Sequence, residues 1–362
     1  MSHLARCVVT VVVGLVVAAC GSTRSPAPRQ RLALEGLGPL TGCIGYGHSG
    51  IEGYGVAPDQ AFLTLVCRYE VGEVLNLGIG GSTLQGQLAE VLHRMPSGHP
   101  RQLSIVMWGA NDLALFGPDL AGYEAGLRML VSRLRTVPGG VHGSADRALH
   151  YAGRWTSAYG EEVTRGGAGF TWTSPRGFRG GVVAFTATFR QGIGARYAFT
   201  LDGRDAGVWD TRRLGPPAPA PPANTPGAFR IDVPPGAGHI VRCRISSVRG
   251  GADVLGWQLE ASRPPLVVLV EHPRPPSFAI YRQKGWVFTP TDSQILALDR
   301  AMQTVAAEFG SYVIAVDTDT EVHRDPTYFL PDRFHFSVAG NRLIAGLIEH
   351  AIARNPHVEQ AH

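Results

Sequence analysis

Cys43-Ile44-Gly45-Tyr46-Gly47-His48-Ser49-Gly50 decides how this chain folds. The run from Cys43 to Tyr46 is short and apolar and reads as a strand. Glycines at 45, 47 and 50 permit a sharp turn straight after it, which leaves Ser49 at the strand's carboxyl end. Open α/β sheets place their sites at that end. The same pattern recurs outward from this stretch. A strand over 74–77 runs into Gly78-Ile79-Gly80-Gly81, and one over 103–108 runs into Gly109-Ala110-Asn111-Asp112. The first strand is expected over 36–46. Helices are expected over 60–70, 84–95 and 123–134, the last with apolar residues at 127, 130, 131 and 134. Further on come a continuous apolar strand over 266–270, a helix over 293–309, a strand over 312–316 and a closing helix over 338–353. Alternating strands and helices imply a parallel sheet with helices on both faces, a three-layer α/β/α fold.

A serine hydroxyl is a weak nucleophile at neutral pH. It needs an adjacent base, and the base needs a third group to fix its tautomer. Ser49 supplies the hydroxyl. Asp332-Arg333-Phe334-His335 supplies an imidazole with a carboxylate three residues before it, close enough to reach the ring from one loop. Pro331 stops regular structure upstream, and a helical pattern begins after His335, so the pair sits on a loop. Acyl transfer also builds an oxyanion, which needs aimed donors. The candidates are the Asn111 side-chain amide and the backbone N–H groups of Gly81 and Ser49. Each motif alone has a plainer reading. Gly-X-Ser is commonly a turn, Asn-Asp after a strand is commonly a turn or helix cap, and Asp-X-X-His arises by chance. The glycines at 78–81 lack the Lys-Ser/Thr of a phosphate loop. All four in this order point to a serine hydrolase.

The set resembles the SGNH (GDSL-type) hydrolase superfamily, over residues 36–137 and 264–353. The blocks are Gly47-His48-Ser49, the stretch ending at Gly81, Gly109-Ala110-Asn111-Asp112, and Asp332-X-X-His335. The resemblance implies Ser49 as nucleophile, Gly81, Asn111 and the Ser49 N–H as the oxyanion hole, His335 as base and Asp332 as its partner. His48 departs from the family, which usually has Asp there. That Asp is neither nucleophile nor base, so the mechanism survives. The geometry and charge of the first loop are what change, and His48 is either a simple variant or a group that tunes Ser49.

Between these halves the pattern changes. Pro138-Gly139-Gly140 is expected to break the preceding helix. From 145 to 262 there are short β-branched and aromatic runs at 169–173, 182–189, 196–201, 228–233, 239–246 and 254–259, separated by turn signals such as Asp202-Gly203. This reads as an all-β sandwich inserted into the α/β fold. Residues 215–223, Pro- and Ala-rich, read as an extended loop within it. Tyr151-Ala152-Gly153-Arg154-Trp155, Phe178-Arg179-Gly180-Gly181-Val182 and Phe199-Thr200-Leu201-Asp202-Gly203 are similar to stretches in the sandwich of two-domain carbohydrate esterases. Arg154, Trp155, Phe178 and Trp257 also fit a sandwich core or its edge. Two roles are open for such a module, sugar binding and simple shielding of one side of the cleft. The expected division is a signal segment at 1–19, a tether at 20–35, the α/β fold at 36–140 and 264–355, and the insert at 145–262.

The chain has 362 residues, 44% hydrophobic and 17% charged, with a net charge of +4. That balance suits a globular protein, and without a basic stripe it disfavours nucleic acid as a partner. Lys284 is the only lysine among the cations, a usage read as base-composition bias. Arg6 followed by an apolar run over 8–19 reads as an export signal too short for an ordinary membrane span. Val17-Ala18-Ala19-Cys20 resembles a bacterial lipobox, which implies cleavage before Cys20 and its lipidation. The protein is then exported and anchored by lipid at the outer face of the bacterial cytoplasmic membrane or in the cell envelope. Cys43, Cys67 and Cys243 remain. A Cys43–Cys67 disulfide and free buried thiols are both open. No metal site and no cofactor are expected.

The leading expectation is an envelope serine esterase that removes small acyl groups, acetyl foremost, from a carbohydrate. An O-acyltransferase would use the same triad with a sugar hydroxyl in place of water. A lipase or thioesterase ranks lower, because no long apolar lid segment is evident. The reading of a different class is a glycan-binding lipoprotein without catalysis.

Overall fold

In the computed structural model, residues 32–34, 38–70, 74–94, 101–118, 120–158, 161–164, 167–189, 194–212, 225–323 and 325–360 are described. The signal segment, Cys20 and the loop at 215–223 lie outside the described residues.

Five parallel strands form the central sheet in the order Val313–Val316, Leu266–Val270, Gln102–Met107, Gly42–Gly47, Val74–Gly78. Three of them are wholly or almost wholly buried, which their unbroken apolar runs require. Side chains alternate between the faces. Tyr46, Val106, Val267 and Leu269 enter one core, and Cys43, Leu103, Ile105, Val268 and Val270 enter the other.

The helices are α1 (Ser49–Glu52), α2 (Phe62–Glu70), α3 (Leu84–Arg94), α4 (Ala110–Phe116), α5 (Leu120–Arg135), α6 (Ala279–Gln283), α7 (Asp292–Phe309), α8 (Asp319–Val322) and α9 (Val338–Ala353). The first core is shared by α3, α5 and α7, and the second by α2 and α9. Local chemistry starts several of them. Thr291 and Gln294 close a capping box on α7, and Ser337 accepts from the Gly340 N–H at the start of α9.

Register brings the functional loops together. Gly47 pairs with Gly78 on one side and Met107 on the other, so three strands end level and their loops open on one edge. Gly47 is required there, since a Cβ would stand 2.3 Å from the Met107 carbonyl oxygen.

Several expectations need correction. The strand expected over 36–46 is divided. Gly38–Pro39 joins a small antiparallel sheet with Leu32–Leu34 and Val358–Gln360, and the parallel strand begins at Gly42. Leu32–Leu34, expected in the tether, is thus paired. Pro138-Gly139-Gly140 does not end α5 in a loop. The helix stops at Arg135, and Thr136–Gly143 is a strand paired with Gly256–Glu260. It sits at the edge of its sheet, where proline's missing N–H does little harm. The sequence reading also missed α4 and α6.

Between Arg135 and Ala261 the chain is antiparallel. A five-stranded sheet (Arg204–Asp210, Gly194–Leu201, Ile240–Arg249, Gly169–Thr173, Leu149–Ala152) faces a four-stranded one (Thr225–Val233, Gly181–Phe189, Gly256–Glu260, Thr136–Gly143). The core between them holds Phe170, Trp172, Phe185, Phe199 and Trp257. Phe178 is buried there, Trp155 is half-buried and Arg154 is exposed. The outer face of the four-stranded sheet packs on α5 through Ala184 and Ala228. Glu260, buried at this junction, pairs with Arg135 at 3.1 Å and Arg230 at 2.8 Å. The Ala261 N–H donates to the Arg135 carbonyl at 2.8 Å, so the chain leaves and rejoins the α/β fold at one point.

Cys43 and Cys67 are joined in a disulfide, with Cα atoms 5.7 Å apart, and Cys243 is a free buried thiol. The bond ties the strand before Ser49 to α2. Cross-linking residues 24 apart restrains the unfolded chain. C67A, or reduction, is therefore expected to lower unfolding stability by about 3 kcal/mol. Urea unfolding with and without reductant measures this, and coincident midpoints would refute it.

Candidate active site

The Ser49 hydroxyl lies at the bottom of the edge formed by the three loops. His48 is the N-cap of α1, and its Nδ1 accepts the Gly50 N–H at 3.0 Å, so the ring is held by its own turn. Ser49 Oγ is 3.0 Å from His335 Nε2, and His335 Nδ1 is 2.6 Å from Asp332 Oδ2. The carboxylate accepts Nδ1–H, which leaves Nε2 with its lone pair toward the serine hydroxyl. The other Asp332 oxygen accepts the N–H groups of Phe334 and His335, each at 3.0 Å. Burial raises the Asp332 carboxyl, but the bonds from the His335 ring and these two N–H groups outweigh it, and its pKa falls below the ordinary carboxylate range. Arg333, inside this loop, has φ 58°, a left-handed backbone that costs a non-glycine residue about 1 kcal/mol. Tyr54 covers the His335 ring with centroids 4.2 Å apart.

Gly81 and Asn111 lie on the other side of Ser49, in the wall of a cleft of about 260 Å³. Gly81 has φ +75°, the left-handed region, and its N–H and that of Ser49 donate to no protein atom among the described residues. Asn111 is 4% exposed. Its Nδ2 donates to the Ser82 carbonyl at 2.9 Å, and its Oδ1 accepts the Tyr281 hydroxyl at 3.2 Å. Two partners therefore fix the plane of an amide that still holds one unused N–H. Ile280, Tyr281, Lys284, Trp286 and Phe334 complete the wall. Asp112 has the plainer role. It is buried, and its two oxygens accept the N–H groups of Leu84 and Gln85 at 3.0 Å, capping α3 from the first turn of α4. Burial pushes its carboxyl up to about 7 against these bonds.

Thus Ser49, His335 and Asp332 form one hydrogen-bonded chain, and Gly81 and Asn111 share a cleft with Ser49. Cys20 lies outside the described residues. The reading missed Tyr54, Tyr281 and Trp286. The only available signal was the aromatic spacing of Phe278-Ala279-Ile280-Tyr281 and Trp286, which carries no chemistry by itself. No residue between 136 and 260 lines this cleft or the cavity beneath it, among the described residues. Among the described residues, the antiparallel sheets therefore contribute no side chain to the immediate wall of the cleft. Nor do the described residues hold a group of His, Cys, Asp or Glu able to bind a metal ion.

Beneath Ser49 a second cavity of about 270 Å³ is lined by His48, His272, His335, Tyr54 and Asn341. His48 and His272 are both buried, with centroids 5.3 Å apart. Burial holds both below the ordinary histidine range, His272 near 4. Next to His272, Asp299 accepts its N–H at 3.3 Å through one oxygen and leaves the other buried without a partner among the described residues. Burial first, and then the Glu271 charge, push Asp299 up to about 8. The folded protein therefore holds this proton between 3.8 and about 8, where the unfolded chain has lost it. Stability falls as pH rises through that window and levels above it. D299N lacks this slope, so it is expected to gain on the wild type from pH 5 to pH 8, by on the order of 1.4 kcal/mol per unit. Urea midpoints at pH 5, 6.5 and 8 test it, and parallel curves would contradict it.

No family model and no curated protein matches the chain. Among solved structures, it is similar to a lipolytic protein of the G-D-S-L family from Desulfitobacterium hafniense DCB-2, at 10% identity over 86% of this chain and 99% of that one, with a TM-score of 0.39. It is also similar to a two-domain esterase active on acetylated mannans, co-crystallised with mannopentaose, at 10% identity over 62% of this chain and 92% of that one, with a TM-score of 0.30. The haemagglutinin-esterase of infectious salmon anaemia virus follows at 14% identity, over 91% and 87%, with a TM-score of 0.34. At such low identity and TM-score, none of the chemistry below rests on them.

Proposed function

We propose that the protein is a serine esterase of the SGNH type that removes a small acyl group, acetyl foremost, from a carbohydrate of the cell envelope. The observation that carries this is the unbroken Ser49–His335–Asp332 chain at 3.0 and 2.6 Å. His335 Nε2 takes the Ser49 proton as Oγ attacks the ester carbonyl carbon. The resulting oxyanion receives the N–H groups of Ser49 and Gly81 and the free Asn111 N–H. Collapse breaks the C–O bond, and the leaving alcohol takes the proton back from His335. Water, deprotonated by the same nitrogen, then releases the acid and regenerates Ser49.

The walls at Ile280, Trp286 and Phe334 support a short acyl group. Tyr54, half-exposed beside His335, and half-buried Trp286 in the cleft wall offer aromatic faces of the kind sugars stack on. The disulfide fits an oxidising compartment and so supports export, while the Cys20 lipid anchor rests on the lipobox-like Val17-Ala18-Ala19-Cys20 alone.

The test is hydrolysis of 4-nitrophenyl acetate, butyrate and octanoate, together with release of acetate from acetylated glycans. Turnover that falls steeply from acetate to octanoate is expected. A preference for octanoate would replace the proposal with a lipase. Absence of both turnover and fluorophosphonate labelling at Ser49 would leave a binding protein.

A further inference from the structure

We propose that Lys284 selects esters whose alcohol portion carries an anionic group, carboxylate or phosphate, near the scissile oxygen; this rests on the esterase reading above. Lys284 is the only lysine in the chain, every other fixed cation being arginine, and it stands in the wall of the cleft that holds Ser49 and Asn111. Among the described residues it is the only permanently charged one lining that cleft. It has no ion-pair partner among the described residues. A cation that the protein leaves unpaired beside an otherwise neutral, largely aromatic wall is a recognition element for a ligand anion.

Its backbone is fixed. Lys284 caps the C-terminus of α6, its N–H donating to the Ile280 carbonyl at 2.9 Å, and the Trp286 N–H returns to the Tyr281 carbonyl at 2.9 Å. The side chain is solvent-exposed, whereas the Asn111 end of the cleft is buried. Lys284 therefore stands on the open side of the cleft, from which its ammonium can reach the alcohol portion of an ester whose small acyl group lies by the buried Asn111. A flexible ammonium serves either anion as a compact point charge, without the fork geometry an arginine would impose. For a carbohydrate, the class implied is an acylated glycan bearing uronate or phosphate near the ester.

The test uses three matched acetate esters, 3-acetoxybenzoate, 3-acetoxyphenyl phosphate and the neutral 3-acetoxybenzamide, with the wild type, K284Q and K284R. The wild type is expected to favour at least one anionic ester over the neutral one by about threefold or more in kcat/KM, through KM, as exposed charge pairs allow. High salt should reduce that preference. In K284Q the ratio should fall to near one, and K284R should retain part of it. The better anion separates uronate-bearing from phosphate-bearing substrates. No wild-type preference, or an equal loss on all three esters in K284Q, would overturn the proposal. The latter result would instead place the ammonium at the oxyanion. Failure of the esterase reading itself is distinguishable, because the benzamide ester would then show no turnover dependent on Ser49.

Discussion

Replacing Ser49 with alanine is expected to lower kcat for 4-nitrophenyl acetate by at least about 10⁴-fold. Among the described residues the Ser49 hydroxyl is the nucleophile bonded to His335 Nε2, and alanine offers no atom to carry the acyl group. The variant should fold, because Ser49 Oγ has one partner, His335, whose ring remains held by Asp332. H335A should lose a similar amount, and the double variant little more, since the parts act as a unit. D332N should be milder or equal. It would weaken the hold on the ring nitrogen and leave the Ser49–His335 contact in place. Steady-state kinetics with melting curves for each variant separate chemistry from folding. Near-wild-type turnover in S49A would end the serine-esterase assignment.

N111A is expected to lower kcat by about 10²- to 10³-fold, with a smaller change in KM. If the remaining Asn111 N–H serves the oxyanion as proposed, it acts where charge appears only in the transition state, so its loss falls on kcat and not on substrate binding. Y281F keeps the asparagine but removes the bond that orients Oδ1, and a loss of about tenfold or less is expected there, the scale of one hydrogen bond. The order N111A well below Y281F, both acting on kcat, is the signature. Equal effects on KM alone would show that Asn111 only binds ground-state substrate.

The parallel sheet was legible because its central strands are unbroken apolar runs and the three that lead to Ser49, Gly81 and Asn111 run into glycine. The Ser49 and Asp332-X-X-His335 motifs were legible because their chemistry needs those residue types at short spacing. Asn111 was legible as a candidate donor, but not that Ser82 and Tyr281 would hold it, since residues 29 and 170 apart meet only through the fold. Asp112, next to it, looked like part of the same motif, yet it caps a helix in another loop. The strand at Thr136–Gly143 was missed because Pro138-Gly139-Gly140 is a strong breaker signal, which an edge position tolerates. Lys284 shows the reverse error. Composition made it look incidental, and only its place in the cleft gives it meaning.

The bond from Ala261 to the Arg135 carbonyl makes the antiparallel region an excursion through a single doorway. Such a doorway suits exchange more than removal. A bare excision would leave the α5 surface under Ala184 and Ala228 wet and apolar, and strand the partners of Glu260. A foreign sandwich spliced at the same two residues, with small apolar side chains facing α5, would leave the catalytic loops at their own edge of the sheet. The two parts are thus joined by one chain crossing and one packed face, while the Ser49 cleft is lined, among the described residues, from outside the antiparallel region.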